Sequence, residues 1–161
     1  MTFIRQILFF ALFAIATALR ANFYGDGDFG DDSYNGKFST FIGGSNGPKK
    51  TINAAIAITA DGDIIEIVAS GNYLEKLVLK KTLTFSLSAD NISLNTIVID
   101  AVGKNVYLQG YEFVVTDSII LKNGILDPSL SSLVSGPHGK VVGGSRTVLI
   151  EGKLQRANTI T

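Results

Sequence analysis

The 161-residue sequence contains no cysteine and no tryptophan, a single histidine, a single methionine and three prolines. Without cysteine there is no disulfide framework, no thiolate metal site and no cysteine nucleophile, so the fold must be held by packing and strand pairing alone. One histidine excludes multi-histidine zinc sites, and no serine sits in a motif that supports a Ser-His-Asp triad. That histidine, His138, lies in Gly136-Pro137-His138-Gly139, a string of turn formers that places it at an exposed turn. Excess charge is scarce as well, with 14 Lys and Arg against 14 Asp and Glu. Neither end of the chain reaches the basic density of a nucleic-acid binder, so no nucleic-acid partner is expected.

Long hydrophobic runs are confined to the start. Residues 1–21 combine Arg5, an apolar stretch over 7–19 and small residues at Ala16, Ala18 and Ala21, the layout of a secretory signal peptide. The stretch is shorter than the roughly 20 residues a spanning helix needs. A secreted, extracellular or cell-surface protein with no membrane span in the mature chain is therefore expected, a retained anchor being the alternative. Cleavage after Ala18 or after Ala21 both fit, and Ala21 is taken as the boundary. Removal takes away Arg5 and Arg20 and no acid, leaving 12 basic residues against 14 acidic ones.

Residues 22–47 form a Gly/Asp-rich leader with turn signals at Asn35-Gly36 and Asn46-Gly47, and an apolar island over 38–42. It is expected to drape over whatever follows. Gly25-Asp26-Gly27-Asp28-Phe29-Gly30 fits G-x-G-x-x-G, but no strand precedes it, no helix follows directly, and its two aspartates repel a pyrophosphate. As an EF-hand loop begun at Asp26 it has Gly30 at position five and Lys37 at position twelve, where a bidentate glutamate is needed. A solvated turn and an irregular calcium site remain as alternatives for Asp26, Asp28, Asp31 and Asp32.

Residues 48–161 change character. Thr51 is placed to cap a short helix whose apolar stripe is Ile52, Ala55, Ile56 and Thr59, stopped by Asp61-Gly62. From residue 63 onward, short runs of β-branched and aliphatic residues alternate with Gly, Asn or Asp: 64–68, 77–79, 83–87, 96–99, 106–108, 113–115, 119–121, 133–134, 140–142 and 147–150. Such short runs bury a face only by stacking on neighbours, the physical reason for solenoids. At roughly 20–25 residues per coil, four to five coils are expected. The helix is expected to cover the first coil. Residues 133–140 align with 149–156 at an offset of 16, keeping the leucine, a glycine and the final base.

Three motifs in order carry a family resemblance: Gly30-Asp31-Asp32-Ser33-Tyr34-Asn35-Gly36, then Lys50-Thr51-Ile52-Asn53-Ala54-Ala55-Ile56, then Gly62-Asp63-Ile64-Ile65-Glu66-Ile67 running on to Gly71-Asn72-Tyr73. They resemble the N-terminal entrance of the pectin-lyase-like right-handed parallel β-helix superfamily, with Ser70 where proline is usual. The expected fold is therefore all-β, a right-handed parallel β-helix (solenoid) with an N-terminal capping helix; a β-sandwich is the alternative. Residues 123–127, 131–137 and 152–156 resemble passages of secreted bacterial repeat proteins of the type IX class. By that likeness the chain is expected to be truncated at its C-terminus, with possible self-association through its last coil.

The superfamily holds lyases, hydrolases and non-catalytic adhesins alike, so the resemblance implies fold more than activity. A non-catalytic adhesive or scaffold role, with polysaccharide or cell-surface contact, is the favoured expectation. The alternatives are part of a polysaccharide lyase or glycoside hydrolase, and a purely structural stalk. No catalytic, cofactor or metal residue is assigned. A lyase needs acids that hold calcium and a Lys or Arg that abstracts a proton, for which Asp100, Lys104, Asp117 and Lys122 are the candidates. Tyr107, Tyr111 and Phe113 offer sugar-stacking rings if they point outward, and the alternation of Val106 and Leu108 around Tyr107 makes it the best of the three. Asn91-Ile92-Ser93 is a lone glycosylation sequon.

Overall fold

A computed structural model of the chain describes residues 20–145, 149–152 and 154–156. The expected leader peptide up to residue 19, Lys153 and the strand-like end at 158–161 lie outside the described residues. In chain order the elements are β1 (Asn22–Gly25), α1 (Ile52–Ile58), β2 (Ile64–Ile67), β3 (Gly71–Leu79), β4 (Leu83–Leu87), β5 (Ile92–Ser135), β6 (Lys140–Gly143), β7 (Leu149–Ile150) and β8 (Leu154–Arg156). Strand accounts for 59% of the structure and helix for 5%, and the strands wind into a solenoid of about 4 turns. Every pairing between these strands is parallel. That removes the β-sandwich, whose sheets are built from antiparallel neighbours.

The register explains why such short apolar runs suffice. Phe23 lies opposite Ile65, Ile65 opposite Phe85, and Phe85 opposite Leu108, so one inward row climbs four rungs. A second row takes Tyr73 onto Leu94, Leu77 onto Ile97 and Leu79 onto Ile99. All of these side chains are buried, and each large one contributes about 1.5–3 kcal/mol by leaving water. Phe85 and Phe113 meet edge to face across the interior, centroids 6.4 Å apart at 85°. From β2 onward, paired residues are 20 to 24 positions apart, as in Lys76 opposite Thr96 and Ile125 opposite Leu149. The first turn is longer, with Asn22 opposite Ile64, because it also holds the leader loop and the helix.

β5 departs from the expected string of separate strands. It stays extended for 44 residues, about 145 Å at 3.3 Å per residue, so it must wrap around the stack. It pairs in succession with β3, β4, β6, β7 and β8. Its corners are single residues that never leave the ladder. At Gly110 (φ +92°) an added Cβ would come within 2.3 Å of the Leu87 carbonyl oxygen, and at Gly124 (φ +90°) within 2.3 Å of that of Ala101. Only glycine supplies both the positive φ and the close approach.

The sequence offset of 16 is not the structural repeat. Leu133 stands opposite Leu154, and Leu149 opposite Ile125, so the similar octads lie on different positions of the coil. The leader also does more than drape: its residues Asn22–Gly25 are the first rung. Four residues were too few to show an alternating pattern.

Helix α1 packs against β1, β2 and β3. Ile52 and Ala55 are fully buried, Thr59 is buried, and Ile56 packs half-buried on the core, the expected stripe. The helix ends at Ile58, before Asp61-Gly62, because Thr59 turns back and its N–H and hydroxyl both donate to the Ile56 carbonyl. Charges from β3 and from the turn that follows it hold both ends. Glu75 accepts the N–H groups of Ile52 (2.8 Å) and Asn53 (2.9 Å), and Lys81 Nζ donates to the carbonyls of Ile56 (3.1 Å) and Thr59 (2.5 Å). A carboxylate at the N-terminus and an ammonium at the C-terminus complement the helix dipole.

Two substitutions separate core from cap in a thermal or urea melt. Phe85→Ala should cost about 3–5 kcal/mol by opening a cavity, and Glu75→Ala about 1 kcal/mol, the scale of a lost cap. Phe29→Ala, at an 82% exposed position, should change little; a loss there matching that of Phe85→Ala would contradict the assignment of the core.

Candidate outward-facing surface

Because the inward rows are fixed by register, the residues between them alternate to the other side of the sheet. On the sheet formed by β1, β2, β4 and the start of β5 these are two rows: Asn22, Ile64, Thr84 and Tyr107, and beside it Tyr24, Glu66, Ser86 and Gln109. Neighbouring rungs of a sheet lie about 4.8 Å apart; the second row is partly exposed at each rung, whereas the first is interrupted by Thr84, which is buried. Tyr107 is 37% exposed and Tyr111 56%, whereas Phe113 is 1% exposed. The expected outward ring at Tyr107 is thus present, with Tyr111 near it in sequence, and Phe113 belongs to the core. Asn105 Nδ2 donates to the Tyr107 hydroxyl at 3.2 Å and holds the ring's polar end.

Polar side chains also form ladders between turns. Ser88 donates to Glu66, Ser70 to Asp90, Ser93 to Asn72, Thr96 to Asp117, Asn123 to Asp100 and Gln155 to Ser132, each pair 20 to 23 positions apart. The candidate lyase residues fall into this pattern. Asp100 accepts from Asn123 at 2.7 Å, Asp117 accepts from Thr96 at 3.0 Å, and Lys104 forms an ion pair with Asp61 at 2.6 Å, two turns back. Lys122 is exposed. None of the four hydrogen-bonds or forms an ion pair with another.

The acidic run of the leader makes turns. Asp26 accepts the N–H groups of Asp28 and Phe29, Asp31 that of Ser33, and Asp32 accepts the N–H and hydroxyl of Thr51, beside the helix start. Among the described residues no group of three or more His, Cys, Asp and Glu is placed to hold a metal ion. His138 is exposed in its turn, where the Gly139 N–H donates to the Gly136 carbonyl. Tyr73 is buried, its hydroxyl donating to the Ala69 carbonyl and accepting the Gly27 N–H, and burial raises its pKa.

Glu75 and Lys81 have structural roles absent from the sequence expectations, and Asp61, expected only to stop the helix, also pairs with Lys104. Their partners are about twenty to forty positions away, and no local pattern marks a charge that caps a distant helix. A scan of protein-family models, a search of curated proteins and a search of solved structures each found no match for this chain. No helix among the described residues is long and apolar enough to cross a membrane.

The ladders give a signed pH dependence. Asp61 is held below its ordinary value of 3.8, first by the hydrogen bond from Lys104 and then by that from the Thr82 N–H, and Asp31 is lowered by its bonds with Ser33. A carboxylate lowered in the folded state contributes stability above its unfolded pKa and loses it as pH falls through the folded value. The melting temperature should therefore drop on acidification below 3.8. Part of that drop should disappear in Asp61→Asn; an unchanged acid limb in that variant would remove the ion pair from consideration.

Proposed function

We propose that the chain forms coils of an exported or cell-surface β-helix protein of the pectin-lyase-like type, with a non-catalytic adhesive or scaffold role and polysaccharide as its contact. The supporting observation is the division of labour between two sets of residues. Asp100, Asp117 and Lys104 are engaged with other turns, while Tyr107 lies exposed beside the half-buried row of Gln109, Ser86 and Glu66, and Tyr111 lies exposed just past the Gly110 corner. A ring with an apolar face and a polar rim suits sugars, which present C–H faces and hydroxyl edges. The partly exposed row of Tyr24, Glu66, Ser86 and Gln109, at constant rung spacing, suits a polymer more than a single small ligand. Self-association through the C-terminal coil is part of the same proposal. Val141 and Val142 are 45% and 49% exposed there, and among the described residues β6, β7 and β8 pair only with β5, leaving a strand edge that attracts other strands.

Binding and chemistry can be tested together on one preparation of the protein. Co-sedimentation with insoluble polysaccharides should show retention that weakens in Tyr107→Ala and Tyr111→Ala, each by about fivefold, the equivalent of roughly 1 kcal/mol per ring. Incubation with polygalacturonate and calcium should yield no unsaturated product by absorbance. Product formation abolished by Lys104→Ala or Lys122→Ala would replace the scaffold with a lyase, and full retention in the double tyrosine variant would remove the aromatic face from the proposal.

A further inference from the structure

We infer that the leader peptide is removed between Ala18 and Leu19, so that the mature chain begins Leu19-Arg20-Ala21; this rests on the export reading above. The observation is that Ala21 belongs to the folded first turn. Its N–H donates to Asp63 Oδ1 at 3.0 Å, and its carbonyl accepts the N–H of Ile64 at 2.9 Å. The second bond opens the parallel ladder between β1 and β2, immediately ahead of the pair Asn22 and Ile64. Asp63 is itself buried, at 6% exposure, and holds the entrance of β2 by accepting the Ala60 N–H at 2.7 Å through its other oxygen.

Cleavage after Ala21 would therefore damage the rung it creates. The Ile64 N–H would lose its acceptor and Asp63 one of its donors. A charged ammonium would replace the peptide nitrogen of Asn22, the first residue of β1. The β1 strand has only four residues and lies at the end of the strand order; the leader loop on its other side bonds Tyr24, Gly25 and Asp26 through Gly36 and Lys49, so the bonds of Ala21 have no substitute at the start of the strand. Cleavage after Ala18 leaves both bonds intact and three residues to spare.

The sequence on the two sides agrees. A leader peptidase reads small side chains at the first and third positions before the cut. Before Leu19 these are Ala18 and Ala16; before Asn22 they are Ala21 and Leu19, and leucine is too large for the second. In the reaction one water adds across the Ala18–Leu19 amide. The C–N bond breaks and a C–O bond forms, Ala18 leaves as the carboxylate of the released leader, and the Leu19 nitrogen takes up both protons of the water to become the new α-ammonium.

Expression of the full 161-residue chain in a bacterium that exports proteins, followed by intact-mass measurement of the exported product, tests the assignment. A product of 143 residues starting at Leu19 is expected. A product of 140 residues starting at Asn22 would overturn the site while leaving export standing, and an unprocessed chain of 161 residues would overturn the export reading with it. Ala18→Leu should abolish processing, whereas Ala21→Leu, at an exposed position, should leave the mass shifted only by the substitution; the reverse pattern would refute the site. Independently, protein made directly from Leu19 should melt about 4 °C above protein made from Asn22, and equal melting temperatures would deny Ala21 its structural role.

Discussion

The stacking of each turn on the one about twenty residues before it is the constraint from which the rest of this structure follows. No rung can bury its own side chains, and the leucine, isoleucine and phenylalanine rows acquire a core only when register places apolar on apolar. Phe23, Ile65, Phe85 and Leu108 form such a row across residues far apart in sequence. The same register that hides one row must expose the next, so the outward Tyr107 and Gln109 are consequences of the inward Leu108. Corners must turn the chain without breaking the ladder, which is why Gly110 and Gly124 stand where a Cβ would strike the carbonyl of the turn below.

A stack of this kind has ends, and the N-terminal end carries a helix held by distant charges. Ile52 and Ala55 supply the apolar contact, but Glu75 and Lys81 fix the position of α1 through its orphan backbone groups. Asp63 plays a similar part for the first strand, accepting from Ala21 and from Ala60. Charged and polar residues in this molecule therefore spend much of their hydrogen-bonding capacity between turns. Asp61 with Lys104 spans two turns, and Asp100 with Asn123 spans one. That use accounts for residues whose types alone resemble catalytic acids and bases.

How much of this was legible in the sequence differs by scale. The capped helix and the strand period were readable because they are local: Thr51 does cap the helix, accepting the Ala54 N–H, and the stripe through Thr59 does face inward. The size of a coil was readable from the spacing of the apolar runs. The exact repeat was not, since the offset of 16 between 133–140 and 149–156 competes with the register that pairs Leu133 with Leu154. Sequence similarity between those octads reflects shared turn and strand composition, whereas register answers to burial and to corner geometry. The continuity of β5 was hidden for a related reason: glycine and asparagine signal breaks, yet in a coil they serve as corners inside an unbroken ladder. At the surface, alternation marked Tyr107 as outward, and Phe113, two residues beyond Tyr111, turned out to belong to the core, meeting Phe85.

Cysteine pairs offer the most direct test of the parallel register, because the natural chain has no cysteine to compete. Ser86 and Gln109 are register partners on adjacent rungs with side chains on the outer face. Sheet neighbours about 4.8 Å apart lie within the Cα separation a disulfide tolerates. The Ser86→Cys, Gln109→Cys double variant should oxidise to an intramolecular disulfide in the folded monomer, and moving the second cysteine to Asn105 should abolish it. Efficient closure with Asn105, or none with Gln109, would contradict the register on which the core, the corners and the outward face all depend.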